Sequence, residues 1–353
     1  SQLISSKGYL FEEHEVTTSD GYVIGIQRIP RGKNEGPDVP LSKKMTILLQ
    51  HGMLGASHDY VLNFPNQSLG FILADAGYDV WLGNSRGNTY SSHKSLTRKD
   101  KKFWDFSSID LESYDVVLLT VKCNHVTRKR ATQDAGSSRS RAYLFRRRDE
   151  GPEYTRKNRL KSGLAYLECA GHLTNAHNSA PPYQKKKQQV AALLDQPHWF
   201  DIKARNTCAS KLSGPACELS GRWLLRIAAQ DSSRHMASDA SLRRSVQLRP
   251  LIRCNCFRKF DYGIIKNLAK YGKIKPPEYK LSRVEVPVAI YWSKGDWFAA
   301  EKDVARLRQD LPNVVEYYQV PEEKFTHFDF GWGINAEPIL YRQMMSVMEK
   351  YRN

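Results

Sequence analysis

Two residues near the carboxyl end of the 353-residue chain, Asp296 and His327, each follow a run of β-forming apolar residues. Asp296 lies in YWSKGDWFA, after the apolar run 288–291, and His327 lies in VPEEKFTHFDFGW, after a run that ends at Val320. An imidazole oriented by a carboxylate is the base that activates a nucleophile in acyl transfer. Taken singly, Asp296 is explained as a helix N-cap and His327 as a buried structural histidine.

A third strand end lies early in the chain, in the sequence ILLQHGMLGASHDY at 47–60. The two glycines after His51 let backbone N–H groups turn toward a pocket, as in an oxyanion hole. A plain glycine turn with a structural histidine is the alternative. The order of an early His-Gly turn, then an Asp, then a His is typical of α/β hydrolases, whose triad runs Ser, Asp, His along the chain.

The elements that must position these residues form an α/β pattern at both ends of the chain. The segment HEVTTSDGYVIGIQRIP predicts a β-hairpin. After it, the pattern predicts a strand at 46–49, a helix at 71–76 that ends at Gly77, and a second strand at 78–82. The carboxyl-terminal part repeats this alternation of strands and helices. Its final predicted helix has one apolar stripe, formed by Leu340, Met344, Val347 and Tyr351. The pattern predicts one mostly parallel sheet with helices on both faces.

The net charge of +17 comes entirely from the middle of the chain. Residues 121–260 contain 28 Lys and Arg against 10 Asp and Glu, whereas the remaining residues have a net charge of −1. Such a stretch attracts phosphate or an anionic membrane, or it is a solvated face. No stretch is long and apolar enough for a membrane span.

The chain resembles the acid lipases, the gastric and lysosomal enzymes and their insect relatives. The similarity covers roughly the first 120 and the last 95 residues. It is carried by the following segments: GYLFEEHEVTTSDGYVIGIQRIP, LLQHGMLGASHDYV, GYDVWLGNSRGNTYSSHKSL, FWDFSSIDLESYDV, most of FRKFDYGIIKNLAKYGKIKPPEYKL, VPVAIYWSKGDWFA and PNVVEYYQVPEEKFTHFDFGWGINA. The resemblance implies an α/β-hydrolase fold and a secreted or lysosomal hydrolase that acts on neutral-lipid esters at a lipid–water interface, without a cofactor.

The resemblance also assigns the site residues. The family's nucleophile elbow, Gly-His-Ser-Gln-Gly, aligns with GSSRS at 136–140, which makes Ser138 the nucleophile. Asp296 and His327 complete the triad, and the backbone N–H groups of Met53 and Arg139 form the oxyanion hole. Cys208 and Cys217 have the spacing of a family disulfide. Asn66 begins an Asn-Gln-Ser glycosylation acceptor.

The expected organisation is a core of residues 1–155 and 257–353 with a cap inserted at 156–256. Two alternatives to a lipid esterase remain open at this stage. The first is a relative that keeps the scaffold without a working elbow, because Ser140 replaces the second elbow glycine, or a chain whose middle was translated in a shifted frame, because Arg and Ser cluster between the segments that match the family. The second is a polyanion binder, although no nucleic-acid-binding motif accompanies the basic runs.

Overall fold

The computed structural model describes residues 2–41, 44–52, 55–106, 165–168, 257–284, 286–296 and 299–351. The strands in these ranges are β1 Glu12–Thr17, β2 Tyr22–Ile29, β3 Thr46–Gln50, β4 Asp79–Gly83, β5 Ser91–His93, β6 Ala165–Glu168, β7 Val288–Trp292 and β8 Val314–Gln319. The α-helices are α1 Gln2–Ser6, α2 Leu69–Asp75, α3 Ile264–Tyr271, α4 Glu301–Asp310, α5 Asp329–Trp332 and α6 Arg342–Glu349. Short 3₁₀ segments cover Ser57–Tyr60, Lys101–Trp104 and Leu281–Arg283, and a π-helical turn covers Glu337–Tyr341.

The predicted hairpin is confirmed, because β1 and β2 pair antiparallel with Thr17 opposite Val23. The turn between them closes with hydrogen bonds from Thr18 N to Tyr22 O and from Gly21 N to Thr18 O. Gly21 has φ +97°, a left-handed conformation that glycine adopts without a steric penalty.

The predicted strand–helix–strand unit is also confirmed. β3 and β4 pair in parallel, from Thr46 opposite Asp79 to Gln50 opposite Gly83, and α2 connects them. Gly77, at φ +88°, ends the helix region by donating its N–H to Ala74 O. The strand order of this sheet is β1-β2-β4-β3-β6, with β5 pairing β2, so antiparallel strands form one side and parallel strands the other.

Neighbouring residues of the central strands point to opposite faces of the sheet, where they pack into two apolar clusters, one on each face. Ile47 and Leu49 join the larger cluster, together with side chains of α2 and of the C-terminal helical segment. Leu48 and Trp81 join the second cluster, which Phe103 and Phe106 complete. Because both faces are covered there, β3 and β4 are buried along their whole length.

A strand that the sequence pattern did not predict extends the sheet. β6 pairs in parallel with β3, from Ala165 opposite Ile47 to Glu168 opposite Gln50. The strand falls within the range 156–256 that was assigned to the cap. The boundary of that insertion stays a prediction.

The carboxyl-terminal part contains a second, two-stranded parallel sheet, β7-β8, and α4 follows β7 as predicted. Leu340, Met344 and Val347 are buried, as the helical stripe predicted. Tyr351 differs, since 41% of it is exposed, because it lies beyond the end of α6 at Glu349.

A buried ion pair joins β2 to β4. Arg28 and Asp79 are both fully buried, and Arg28 donates from Nε to Oδ1 at 2.7 Å and from Nη2 to Oδ2 at 2.9 Å. Trp81 Nε1 also donates to Asp79 Oδ2, at 3.2 Å, and Glu12 accepts a third bond from Arg28. The charges are therefore paired and hydrogen-bonded where water cannot solvate them.

We expect Arg28→Met to lower the free energy of unfolding by about 3–5 kcal/mol, because it leaves the Asp79 carboxylate buried without its partner. Arg28→Met/Asp79→Leu should recover most of that loss. Arg342→Met, which breaks the exposed pair with Glu337, is the control and should change little. Urea unfolding measures all three, and a double variant no more stable than the single one would contradict the expectation.

Candidate active site

Asp296 and His327, 31 residues apart in the chain, are in direct contact. His327 Nδ1 lies 2.9 Å from Asp296 Oδ2. The Asp296 side chain is only 5% exposed and the His327 side chain 25% exposed. The carboxylate is thus shielded from water, while the imidazole is partly exposed.

The contact forms because two loops leave the same edge of the second sheet. β7 and β8 run in parallel, so the turn after β7 and the loop after β8 emerge side by side. Ser293 Oγ donates to Phe325 O at 2.6 Å, which ties the turn to the loop. Gly295 permits the close approach, since a Cβ there would lie 2.5 Å from Phe325 O.

Asp296 uses its two carboxylate oxygens for different purposes. Oδ1 accepts a hydrogen bond from Ala299 N at 2.9 Å, just before α4, and Oδ2 faces His327. The sequence left open whether Asp296 is a helix N-cap or the partner of a histidine. The N-cap of α4 is Ala300, without a side-chain hydrogen bond, so Asp296 bonds the loop before the helix and the imidazole of His327. When Nδ1 of His327 carries the proton that bonds Asp296, the basic lone pair of the ring lies on Nε2.

Polar contacts hold the His-Gly turn, which follows β3 at the carboxyl end of the parallel strands of the large sheet. His51 is buried, its Nδ1 lies 2.7 Å from Gly52 O and its Nε2 lies 3.3 Å from Asn88 Nδ2. Gly55 N donates to Gly52 O at 3.2 Å. Replacing Gly55 would place a Cβ 2.5 Å from Asp59 Oδ2, so the turn packs tightly against that carboxyl group.

Side chains of the segment GNSRGN at 83–88 form hydrogen bonds with the residues on either side of this turn. Asn84 Oδ1 accepts from Ser57 N and from Asn88 Nδ2, both at 2.9 Å. Ser85 Oγ accepts from Gln50 Nε2 at 3.1 Å. GNSRGN lies within one of the segments that carry the resemblance, and the structure shows that its side chains fix the backbone around the His-Gly turn.

Asp59 is the most perturbed acid of this region. Burial raises its pKa to about 7, although hydrogen bonds from Ala56 N and from the Trp332 side chain favour the ionised form. No feature of the sequence pointed to Asp59, because its perturbation depends on the packing of distant segments.

The two halves of the site meet through α5. Asn63 Nδ2 donates to Trp332 O at 2.9 Å, and the Trp332 side chain also hydrogen-bonds Asp59. Trp332 stacks on Phe328, which follows His327 directly. The His-Gly turn, the acid beneath it and the Asp296–His327 pair therefore belong to one packed region.

Residues 1–64 match the family model described as a partial alpha/beta-hydrolase lipase region. The chain is 32% identical to Lipase 3 of Drosophila melanogaster, over 99% of this chain and 92% of that protein. It is 31% identical to the lysosomal acid lipase/cholesteryl ester hydrolase of Macaca fascicularis, over 100% and 91%. It is 30% identical to the gastric triacylglycerol lipase of Bos taurus, over 99% and 90%. The chain belongs to the acid lipase family.

Solved structures show the fold of this acid lipase relative at lower identity. A protein of Acinetobacter baumannii AYE assigned as a lipase superposes with a TM-score of 0.54 at 13% identity, covering 99% of this chain and 94% of that one. A bacterial membrane phospholipase A superposes with a TM-score of 0.51 at 14% identity, covering 100% and 89%. The predicted α/β-hydrolase fold is confirmed.

Several predicted site residues of this family member lie outside the residues that the structure describes. They are Met53, Ser138, Arg139, Cys208 and Cys217. Asn66 is described and is exposed at the surface. Within the described ranges, no cluster of His, Cys, Asp and Glu is suited to a metal ion. The helices of those ranges include none with the length and hydropathy needed to cross a bilayer.

The raised pKa of Asp59 predicts a pH-dependent stability. Between about pH 4 and 7 the folded chain holds a proton on Asp59 that the unfolded chain has released, so stability falls as pH rises through this window. The contribution lost is on the order of 4 kcal/mol. Urea unfolding at several pH values should show this decline, and Asp59→Asn should flatten it. An identical slope in the two proteins would contradict the assignment.

Gly295→Ala should separate the loops that carry Asp296 and His327, because its Cβ would collide with Phe325 O. We expect a loss of about 1–3 kcal/mol in the free energy of unfolding. The NMR signal of the hydrogen-bonded Nδ1 proton of His327 should also be lost. Gly36→Ala, at a site with no neighbour within 4 Å, is the matched control and should leave both unchanged. Retention of the His327 signal in Gly295→Ala would show that the close approach is not what brings the pair together.

Proposed function

We propose that this chain hydrolyses carboxylic esters of neutral lipids through an acyl-enzyme intermediate. The observation that carries the proposal is the Asp296–His327 pair, 2.9 Å apart beside a His-Gly turn, in a chain of the acid lipase family. Ser138, which the family motif assigns as the nucleophile, is part of the proposal.

In the first half-reaction, His327 Nε2 takes the proton of Ser138 Oγ as Oγ attacks the ester carbonyl carbon. The backbone N–H groups of Met53 and Arg139 bind the oxyanion of the tetrahedral intermediate. The C–O bond to the alcohol then breaks, and His327 returns the proton to the leaving oxygen. In the second half-reaction, His327 deprotonates a water that attacks the acyl-enzyme, which releases the carboxylic acid and restores Ser138.

Asp296 acts throughout by holding the tautomer of His327 and stabilising the imidazolium. Its burial keeps water from competing for the hydrogen bond, while Ala299 N fixes its second oxygen. Neither half-reaction needs an added cofactor, because each proton and electron pair is supplied by the substrate, water or these side chains.

The substrate class is inferred from the relatives and from the surroundings of His327. The relatives are named for triacylglycerol and cholesteryl ester substrates. The stacked rings of Phe328 and Trp332 lie next to His327 and supply an apolar surface for an acyl chain. A cap within residues 156–256 would complete the enclosure, and the substrate would be drawn from a lipid–water interface.

A secreted or lysosomal location is part of the same proposal. The relatives are named gastric and lysosomal lipases. The exposed Asn66 is accessible to a glycosyltransferase, and a Cys208–Cys217 disulfide suits an oxidising compartment.

The alternative is a relative that keeps the scaffold without catalysis. It is favoured by GSSRS at 136–140, where Ser140 places a side chain at the position of the glycine that lets the elbow helix approach the strand.

A fluorophosphonate probe tests the nucleophile directly, since it reacts with activated serines and the labelled peptide is identified by mass spectrometry. We expect labelling of Ser138, and loss of chromogenic ester hydrolysis in Ser138→Ala but not in Ser137→Ala. Asp296→Asn should lower kcat by roughly 10⁴-fold, because the wrong tautomer of His327 is then favoured.

Two other outcomes would decide against the proposal. Hydrolysis with labelling of a residue other than Ser138 would retain the esterase and replace its nucleophile. A folded chain that neither reacts with the probe nor hydrolyses an ester would establish the inactive scaffold.

A further inference from the structure

Helix α3 turns apolar side chains toward solvent. Ile264, Ile265 and Leu268 are 65%, 84% and 55% exposed, and Ile274, just after the helix, is 59% exposed. Scattered exposed apolar residues are ordinary, but four large ones within residues 264–274 form a patch. We call these four residues the α3 apolar patch.

The polar side of the helix, rather than its apolar side, anchors it. Asn267 is only 1% exposed, and its Nδ2 donates to Asp261 Oδ1 at 2.7 Å and to Ile274 O at 2.9 Å. Its Oδ1 accepts from Tyr262 N at 2.9 Å. This network holds α3 with the apolar patch outward, the reverse of the usual orientation of an amphipathic helix.

Lysines surround the patch. Residues 264–275 contain four lysines and no acidic residue, and all four are exposed: Lys266, Lys270, Lys273 and Lys275. Apolar residues bordered by lysines are the composition of helices that lie in the interface of an anionic membrane. Each lysine near such a surface contributes about 1 kcal/mol.

Charge argues against the basic middle of the chain as the occupant of the patch. Residues 121–256 contain 26 Lys and Arg against 10 Asp and Glu, the same sign as the lysines around α3. An anionic membrane offers acyl chains to the apolar side chains and negatively charged headgroups to the lysines around them.

The cationic border continues into a cavity of about 210 Å³, whose lining includes Lys270, Lys102 and Arg86. Arg86 pairs with Asp20 at 2.7 Å, and Asp105 also lines the cavity. The lining therefore contains three cationic side chains, Lys270, Lys102 and Arg86, against the carboxylates of Asp20 and Asp105, and this excess of positive charge favours a phosphate headgroup.

We propose that α3 and Ile274 form a surface that binds anionic phospholipid membranes, with the apolar patch inserted among the acyl chains. The inference goes beyond ester hydrolysis, since it concerns a surface separate from Asp296 and His327 and does not require a working nucleophile.

Sedimentation of the full chain with vesicles tests the proposal. Diether phosphatidylglycerol mixed with diether phosphatidylcholine is compared with diether phosphatidylcholine alone, because ether lipids cannot be hydrolysed as esters. We expect binding to the anionic vesicles that weakens with added salt. Ile265→Ser/Leu268→Ser should weaken it by at least about tenfold, given the apolar area removed. Leu10→Ser, at an equally exposed position before β1, is the matched control and should not.

A second pair of substitutions tests the charges, which are not part of the packed core. Lys266→Glu/Lys273→Glu should weaken binding to anionic vesicles and reduce its salt dependence. No binding by the unsubstituted chain, or equal binding by the serine variant, would overturn the proposal. Loss of folded structure in the serine variant, with Leu10→Ser stable, would also overturn it, because the patch would then be covered by the chain itself.

Discussion

The hydrogen bond between His327 and Asp296 is the interaction on which the candidate site depends. It joins a residue of the turn after β7 to a residue of the loop after β8. The parallel register of β7 and β8 brings the loops to one edge, and Gly295 lets the turn approach the backbone at Phe325. A buried carboxylate then sets the tautomer of a half-buried imidazole. Every chemical role proposed for this chain follows from that fixed tautomer.

The backbone that would bind an oxyanion is stabilised in a different way, by amide side chains and a buried acid. Asn84 and Asn88 hold the segment around the His-Gly turn, and Asp59 packs directly beneath Gly55. Because the pKa of Asp59 is raised to about 7, its side chain is mainly neutral in acidic solution. Ionisation would add a negative charge next to a turn suited to bind one. In the proposed mechanism, an ionised Asp59 would therefore oppose the negative charge of the oxyanion.

The sequence predicted what depends on local pattern and chain order. The hairpin, the strand–helix–strand unit, the fold and the proximity of Asp296 to His327 all follow from periodicity, turn residues and strand ends. It did not predict the raised pKa of Asp59 or the hydrogen bonds of Asn84 and Asn88, because these arise from contacts between distant segments. Nor did amphipathic periodicity reveal that α3 faces outward, since the direction is set by the hydrogen bonds of Asn267. β6 was missed because AYLE is too short and mixed to stand out among its neighbours.

The two proposed surfaces of the chain depend on different side chains. The α3 apolar patch and its lysines lie within residues 264–275, which contain no histidine and no acidic residue. The candidate site depends instead on the hydrogen bond between the shielded carboxylate of Asp296 and the imidazole of His327. Salt screens the attraction of exposed lysines to an anionic membrane, whereas a partly buried pair is screened much less. Ionic strength therefore separates the proposed adsorption of the chain from the geometry of its candidate site.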